Sequence, residues 1–111
     1  LDQNILRSVL FNLLSNAIKY SETNIELITN IYDKRLDITV SDKGIGIPDE
    51  DQEKLFEKFF RARNTGTVQG TGLGLNIVKQ YVELMGGAIS FSSKENQGTT
   101  FSVTLPEFYA V

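Results

Sequence analysis

Leu36, Ile38 and Val40 alternate with polar residues, and the same alternation runs on to Asp42. Successive side chains of a β-strand point to opposite faces, so these four share one face. An apolar row of this kind must be covered by a second layer of structure. Its last member is a carboxylate, which needs a hydrogen-bond donor because an unpartnered buried charge is costly. The stretch after it, residues 42–48, is a glycine loop holding Gly44 and Gly46. Any fold for this chain therefore has to bury one face of this strand and satisfy an acid at its end.

The other elements can be placed around that strand. Leu6, Leu10, Leu13, Leu14, Ala17 and Ile18 fall on one side at about 100° per residue, which predicts a helix over 2–20. Residues 24–32 read as a strand joined to 36–42 by a short Asp33-Lys34 turn, so the pair forms a hairpin. Asp49 follows Pro48 and is expected to cap a helix running to about Phe60, with Gln52 completing a capping-box-like pair. Residues 61–72 have no apolar period and read as a mobile loop. A third helix is expected over 74–85, with Leu75, Val78, Val82 and Met85 inward and Gly86-Gly87 ending it. Two more strands, 88–93 and 99–105, flank a turn at 95–98. Strands that come in hairpins rather than alternating with helices point to an α+β two-layer sandwich.

Composition narrows the function. The 111 residues suffice for one domain, residues 1–111, and cysteine is absent, so disulfides and thiolate metal sites are excluded. Missing cysteine leans towards a reducing, cytoplasmic setting. The net charge of −3 offers no basic surplus for a nucleic-acid backbone. No apolar run reaches about 18 residues, so no membrane contact is expected. Histidine is absent as well, so any chemistry must rest on carboxylates, amides, lysines, arginines and backbone groups. The chain starts at Leu1 rather than Met, which reads as an excised fragment.

Several stretches carry chemistry-bearing patterns. Asn12, Asn16, Lys19 and Tyr20 lie on the helix side opposite the leucines. They read either as a solvated face or as two amides, an ammonium and a ring that could hold a hydrated metal, a phosphate and a flat base. Asparagine is a weak helix former, which favours the second reading. Magnesium keeps several waters, so one Asn carbonyl oxygen could serve as a ligand. Asp42 suits the exocyclic amine of adenine, or it could cap the next turn. Gly44 and Gly46 would let backbone approach a flat ligand. Gly70-Thr71-Gly72-Leu73-Gly74-Leu75 runs into a helix start, where amides favour anions. It reads either as a phosphate site or as a flexible linker with a cap, and it has neither Walker A nor Rossmann spacing. Leu55-Phe56-Glu57-Lys58-Phe59-Phe60-Arg61 reads either as core or as an anchor for one end of the loop, with Arg61 and Arg63 available to phosphates. Gly98-Thr99-Thr100-Phe101 alone is a turn and a strand.

Taken together, residues 2–106 resemble the ATP-binding catalytic domain of histidine kinases, in the superfamily that includes gyrase, the Hsp90 chaperone and the MutL repair ATPases. Asn12 to Tyr20 is similar to the N box, Asp42 to Ile47 to the G1 box, Phe56 to Arg61 to the F box, Gly70 to Leu75 to the G2 box, and Gly98 to Thr100 to a G3-like turn. The resemblance implies the Bergerat sandwich, three helices over one face of a mixed sheet, and ATP and Mg2+ as ligands. It implies Asn16 as metal ligand and Asn12, Lys19 and Arg61 as catalytic groups near the phosphates. Tyr20 would lie against adenine or its sugar, and Asp42 would bond the adenine amine. Gly44, Gly46, Ile47, Gly70, Thr71, Gly72, Leu73, Gly74, Leu75 and Thr99 would line the rest.

The implied partners are a histidine-bearing dimerisation domain of the same protein and a downstream response regulator, in a two-component phosphorelay. The domain itself is expected to be monomeric. Gyrase-like members carry a glutamate at the position of Asn12, and an amide cannot accept a proton from water, so a hydrolytic base is not evident. The family has a strand before its first helix, for which this chain has no room, and the histidine is missing, so the fragment is not expected to autophosphorylate alone. A nucleotide-sensing module without phosphotransfer is the alternative. The clear F box argues against a serine kinase of the anti-sigma type, and Asn12 against a plain ATPase.

Overall fold

The structure, a computed structural model, describes residues 3–21, 24–57 and 74–106. Its elements in order are α1 (Gln3–Tyr20), β1 (Glu26–Tyr32), β2 (Arg35–Asp42), a 3-10 helix (Asp49–Lys54), α2 (Gly74–Leu84), β3 (Ala88–Lys94) and β4 (Gly98–Leu105). The expected loop over 61–72 and the residues 58–60 of the expected second helix lie outside the described residues.

The four strands form one sheet in the order β1-β2-β4-β3. Two hairpins supply the outer pairs, and β2 joins β4 in the centre, with Leu36 opposite Leu105 and Asp42 opposite Thr99. Pairing is antiparallel throughout the described residues rather than mixed, because each hairpin folds back on itself and the central strands also run opposite ways. Asp33 and Lys34 both have positive φ, 50° and 64°. A two-residue turn of that hand matches the natural twist of the strands it joins.

The inward face follows the alternation in the sequence. Leu36, Ile38 and Val40 of β2 and Phe101, Val103 and Leu105 of β4 are buried. Val9, Leu13 and Ala17 of α1 and Val78 and Val82 of α2 cover them, one helical turn apart in each case. Phe56, Phe91 and Phe101 meet edge-on or tilted, with centroids 5.8 to 6.4 Å apart, so Phe56 packs at the core, while Phe59 and Phe60 lie outside the described residues. The outward face carries hydroxyls; Ser41 and Thr100 bond across the central pair at 3.0 Å. A sheet with one wet face needs only one helical layer, and this gives the two-layer α+β architecture. Gly86, at φ +75°, ends α2: its N–H bonds the Glu83 carbonyl, and the Gly87 N–H bonds that of Val82.

Two further expectations need correction. Ile18 is 66% exposed, although it continues the leucine side of α1. The buried meridian is Val9–Leu13–Ala17; Leu10 and Leu14, one step around, reach only the rim of the core, and at Ile18 no described residue covers that step. The segment after Pro48 is a six-residue 3-10 helix rather than an α-helix, and Asp49 does not cap it. Gln52 instead turns inward and bonds the carbonyls of Ile47 and Ser93, each at 3.1 Å. Leu55 and Phe56 then drop into the core, which ends the helical run.

Among the described residues no helix is long and apolar enough to cross a membrane. Leu13→Ala should lower the unfolding free energy by about 2–5 kcal/mol, and Ile18→Ala by less than about 0.5 kcal/mol, in urea titrations of the chain. Equal losses would mean that Ile18 is covered after all.

Candidate functional site

Three inward rows end on polar residues at the same edge of the sheet. On β2 the row Leu36, Ile38, Val40 ends at Asp42; on β4 Leu105, Val103, Phe101 ends at Thr99; on β3 Ile89, Phe91 ends at Ser93. The register sets Asp42 beside Thr99 and Thr99 beside Ser93. An acid and two hydroxyls thus stand in line where the apolar core stops. Thr99 is buried, and Asp42 and Ser93 are half-buried.

Asp42 fulfils the capping reading of its carboxylate. Its Oδ1 accepts the Gly44 N–H at 2.9 Å, so it does cap the turn that follows. It also remains half-buried at the end of the core. Burial raises its carboxyl above the ordinary value of 3.8, and hydrogen bonds from the backbone of Gly44 and Thr99 oppose the rise.

The glycine loop is pinned on both sides by backbone. Ile45 N–H donates to the Tyr20 carbonyl at the end of α1, and the Ile45 carbonyl accepts from Asn96 N–H in the β3–β4 turn. A Cβ on Gly44 would overlap the Tyr20 carbonyl, and one on Gly46 the Lys94 carbonyl. The close approach that these glycines permit is therefore to the protein's own backbone, not to open space. Ile47 is buried in the core cluster, and its N–H donates to Ser93 Oγ at 2.9 Å.

The amide-bearing side of α1 is partly buried. Asn12, Asn16 and Tyr20 are half-buried and Lys19 is exposed. Asn12 Nδ2 donates to the Ser8 carbonyl at 2.7 Å. A Cβ on Gly74, the first residue of α2, would lie 3.2 Å from Asn12 Oδ1. The first amide helix and the start of α2 are thus adjacent, with only a glycine hydrogen between them. Leu75 packs at the rim of the core. Arg61, Gly70, Thr71, Gly72 and Leu73 lie outside the described residues.

Sequence reasoning missed two groups. Ser93 closes an inward apolar row just as Asp42 does, and the same alternation would have found it. Asn76 Nδ2 bonds the Phe56 carbonyl at 3.0 Å and ties α2 to the segment after the 3-10 helix; a half-buried amide on an exposed-looking helix turn gave no pattern to read.

Residues 1–108 match the family model described as histidine kinase-, DNA gyrase B- and HSP90-like ATPase. The chain belongs to this ATPase family. Within the family it is similar to the circadian input-output histidine kinase CikA of Synechococcus elongatus, at 44% identity over 110 residues, covering 96% of this chain and 15% of the relative. It is 43% identical over 112 residues to the sensor histidine kinase WalK of Bacillus subtilis, covering 96% of this chain and 18% of that protein. The chain therefore spans less than a fifth of either relative. Among solved structures, a mycobacterial sensor histidine kinase, MprB, superposes with a TM-score of 0.86 at 31% identity over 98% of this chain and 76% of that one. Full-length ShkA in complex with AMPPNP superposes with a TM-score of 0.81 at 32% identity, over 99% of this chain and 23% of that one. Within the ATPase family, then, the chain corresponds to the catalytic ATPase domain of sensor histidine kinases.

A carboxyl whose folded pKa lies above its unfolded value binds more protons in the folded state between the two values. Its stabilising contribution is present at acid pH and is lost as the pH rises through the folded value. The stability of the chain relative to its Asp42→Asn variant should therefore fall as the pH is raised from 3.8, followed by urea unfolding. A relative stability that rises over this window would show that burial does not dominate at Asp42.

Proposed function

We propose that this chain binds Mg-ATP at the polar edge of its core and donates the γ-phosphate to a histidine on a separate dimerisation domain of the same protein. The observation that carries the reading is the acid of β2 standing, half-buried, beside Thr99 while the loop after it is bonded to the end of the amide-bearing helix. The carboxylate of Asp42 accepts from the exocyclic amine of adenine, and Tyr20 lies against the base or its sugar. Lys19 and Arg61 meet phosphate charge, and the glycines of 70–74 let backbone amides at the start of α2 do the same. Asn16 would hold magnesium through its carbonyl oxygen, and the bound ion supplies neutralisation of phosphate charge.

Asn12 bears on the outcome. An amide takes no proton, so water near the phosphate meets no base in this side chain. Transfer then rests on positioning an acceptor histidine in line, which suits a domain that holds ATP until that partner docks. The family membership and the AMPPNP-bound relative support nucleotide binding. In this reading residues 1–111 are one domain of a longer sensor kinase, monomeric alone, working on the cytoplasmic side where ATP is available, with a response regulator downstream.

Asp42→Ala should weaken Mg-ATP binding by about 100-fold or more, as expected when a site loses the group that reads a polar substituent. Calorimetric titration measures this, and unchanged affinity would remove Asp42 from the site. Mixed with a histidine-bearing helical hairpin from a sensor kinase and labelled ATP, the chain should produce acid-labile phosphate on the hairpin. Intact ATP binding with no label on any such hairpin would favour a nucleotide-sensing module instead.

A further inference from the structure

Asn76, in the first turn of α2, has both ends of its side-chain amide engaged. Nδ2 donates to the Phe56 carbonyl at 3.0 Å, and Oδ1 accepts from Gln80 Nε2 at 2.8 Å, one turn further along the helix. A backbone carbonyl only accepts, so it is the nitrogen of Asn76 that must face Phe56. The partner it reaches is firmly held. The Phe56 ring packs on Phe91 and Phe101 with centroids 5.8 and 6.4 Å away, and Lys79 Nζ, also on α2, lies 5.3 Å from its centroid.

The later turns of α2 are seated without this bond. Val78 and Val82 are fully buried and hold them in the core, whereas Leu75 only reaches its rim. The first turn is therefore held from its two sides. Gly74 lies against Asn12 of α1, where a Cβ would come within 3.2 Å of Oδ1, and Asn76 is fastened to Phe56. This turn also carries the N–H groups that no acceptor inside the helix can satisfy. Where they point depends on how the turn is seated, and a hydrogen bond weakens steeply once it is misaligned.

We propose that Asn76 is a positioning residue for triphosphate binding: tied to the Phe56 carbonyl, it fixes the first turn of α2 so that the open amides there meet phosphate in line. The inference rests on the nucleotide reading above, in which phosphate is received at the start of α2. Asn76 acts through the helix backbone; its own amide is directed at Phe56 and Gln80 rather than at the ligand. Cutting the tie leaves the contacts to base and sugar as they are and degrades the contacts to phosphate.

The test compares Mg-ATP with adenosine, which keeps the base and sugar and lacks the phosphates, each titrated calorimetrically into the chain well below its thermal midpoint. Wild type should bind Mg-ATP more tightly. Asn76→Leu, close in size and a better helix former, removes the donor. The ratio of ATP to adenosine affinity should then fall about tenfold, with adenosine itself nearly unchanged. Gln80→Ala alters the same helix face but leaves the bond to Phe56, and it should keep the ratio within about twofold of wild type. A merely structural role for Asn76 would weaken both ligands together and leave their ratio unchanged, and that result overturns the proposal; so does an equal fall in Gln80→Ala. Should Asn76→Leu not fold, Asn76→Ser is the second variant: its shorter side chain does not span to the carbonyl, and an unchanged ratio in it refutes the proposal as well. Wild type that fails to bind Mg-ATP, or binds it no tighter than adenosine, would sink the nucleotide reading and this inference with it, whereas an unchanged ratio in a variant that still binds sinks this inference alone.

Discussion

An apolar layer can be sealed against water along most of its length, but its ends must still satisfy whatever polar groups the strands bring there. In this chain three strands deliver Asp42, Thr99 and Ser93 to one end of the buried face, and the protein answers them with backbone amides, hydroxyls and the Gln52 side chain. Most other features follow from that demand. The loop after Asp42 must bend sharply enough for Gly44 to return a hydrogen bond, and it must lie tight enough against α1 for Ile45 to reach the Tyr20 carbonyl. The end of the amide-bearing helix is held beside the acid by the same set of bonds.

Partial burial has opposite effects on the two states of the carboxyl. It raises the cost of the charge, and the Gly44 and Thr99 amides offset part of that cost. An additional donor brought by a ligand would relieve more of it. Under the proposed function, the exocyclic amine of a base would be such a donor. The same logic separates Asp42 from the pair Arg35–Asp37, whose charges meet at 3.1 Å with the guanidinium 45% exposed and solvent-screened, so that it contributes little to stability.

Much of this was legible in the residues, and the reasons are specific. The β2 row announced both a buried face and an acid at its end because strand periodicity is strict: a shift of one residue would invert every side chain. The hairpins, the end of α2 at Gly86 and the pairing of leucines with the sheet were legible for similar reasons. Ile18 was not, because a helix gives a graded stripe rather than two faces, and which edge of the stripe is covered depends on neighbours far away in sequence. The segment after Pro48 misled because Asp49 and Gln52 have the spacing of a capping pair, yet Gln52 found carbonyls on another strand. Glycines 44 and 46 were read as room for a ligand, whereas the atoms they accommodate belong to Tyr20 and Lys94. Long-range contacts of this kind leave no local pattern.

The central pairing of β2 with β4 has a kinetic meaning as well. Each hairpin can close over a short loop, but the Ser41–Thr100 contact joins residues 59 apart. Closing so large a loop costs more chain entropy than closing a local turn. Asp42 lies on one hairpin, and Thr99 and Ser93 lie on the other. A chain with both hairpins formed and the centre still open therefore has secondary structure without a working edge. The candidate site is therefore complete only where the longest-range pairing of the sheet, β2 with β4, has formed.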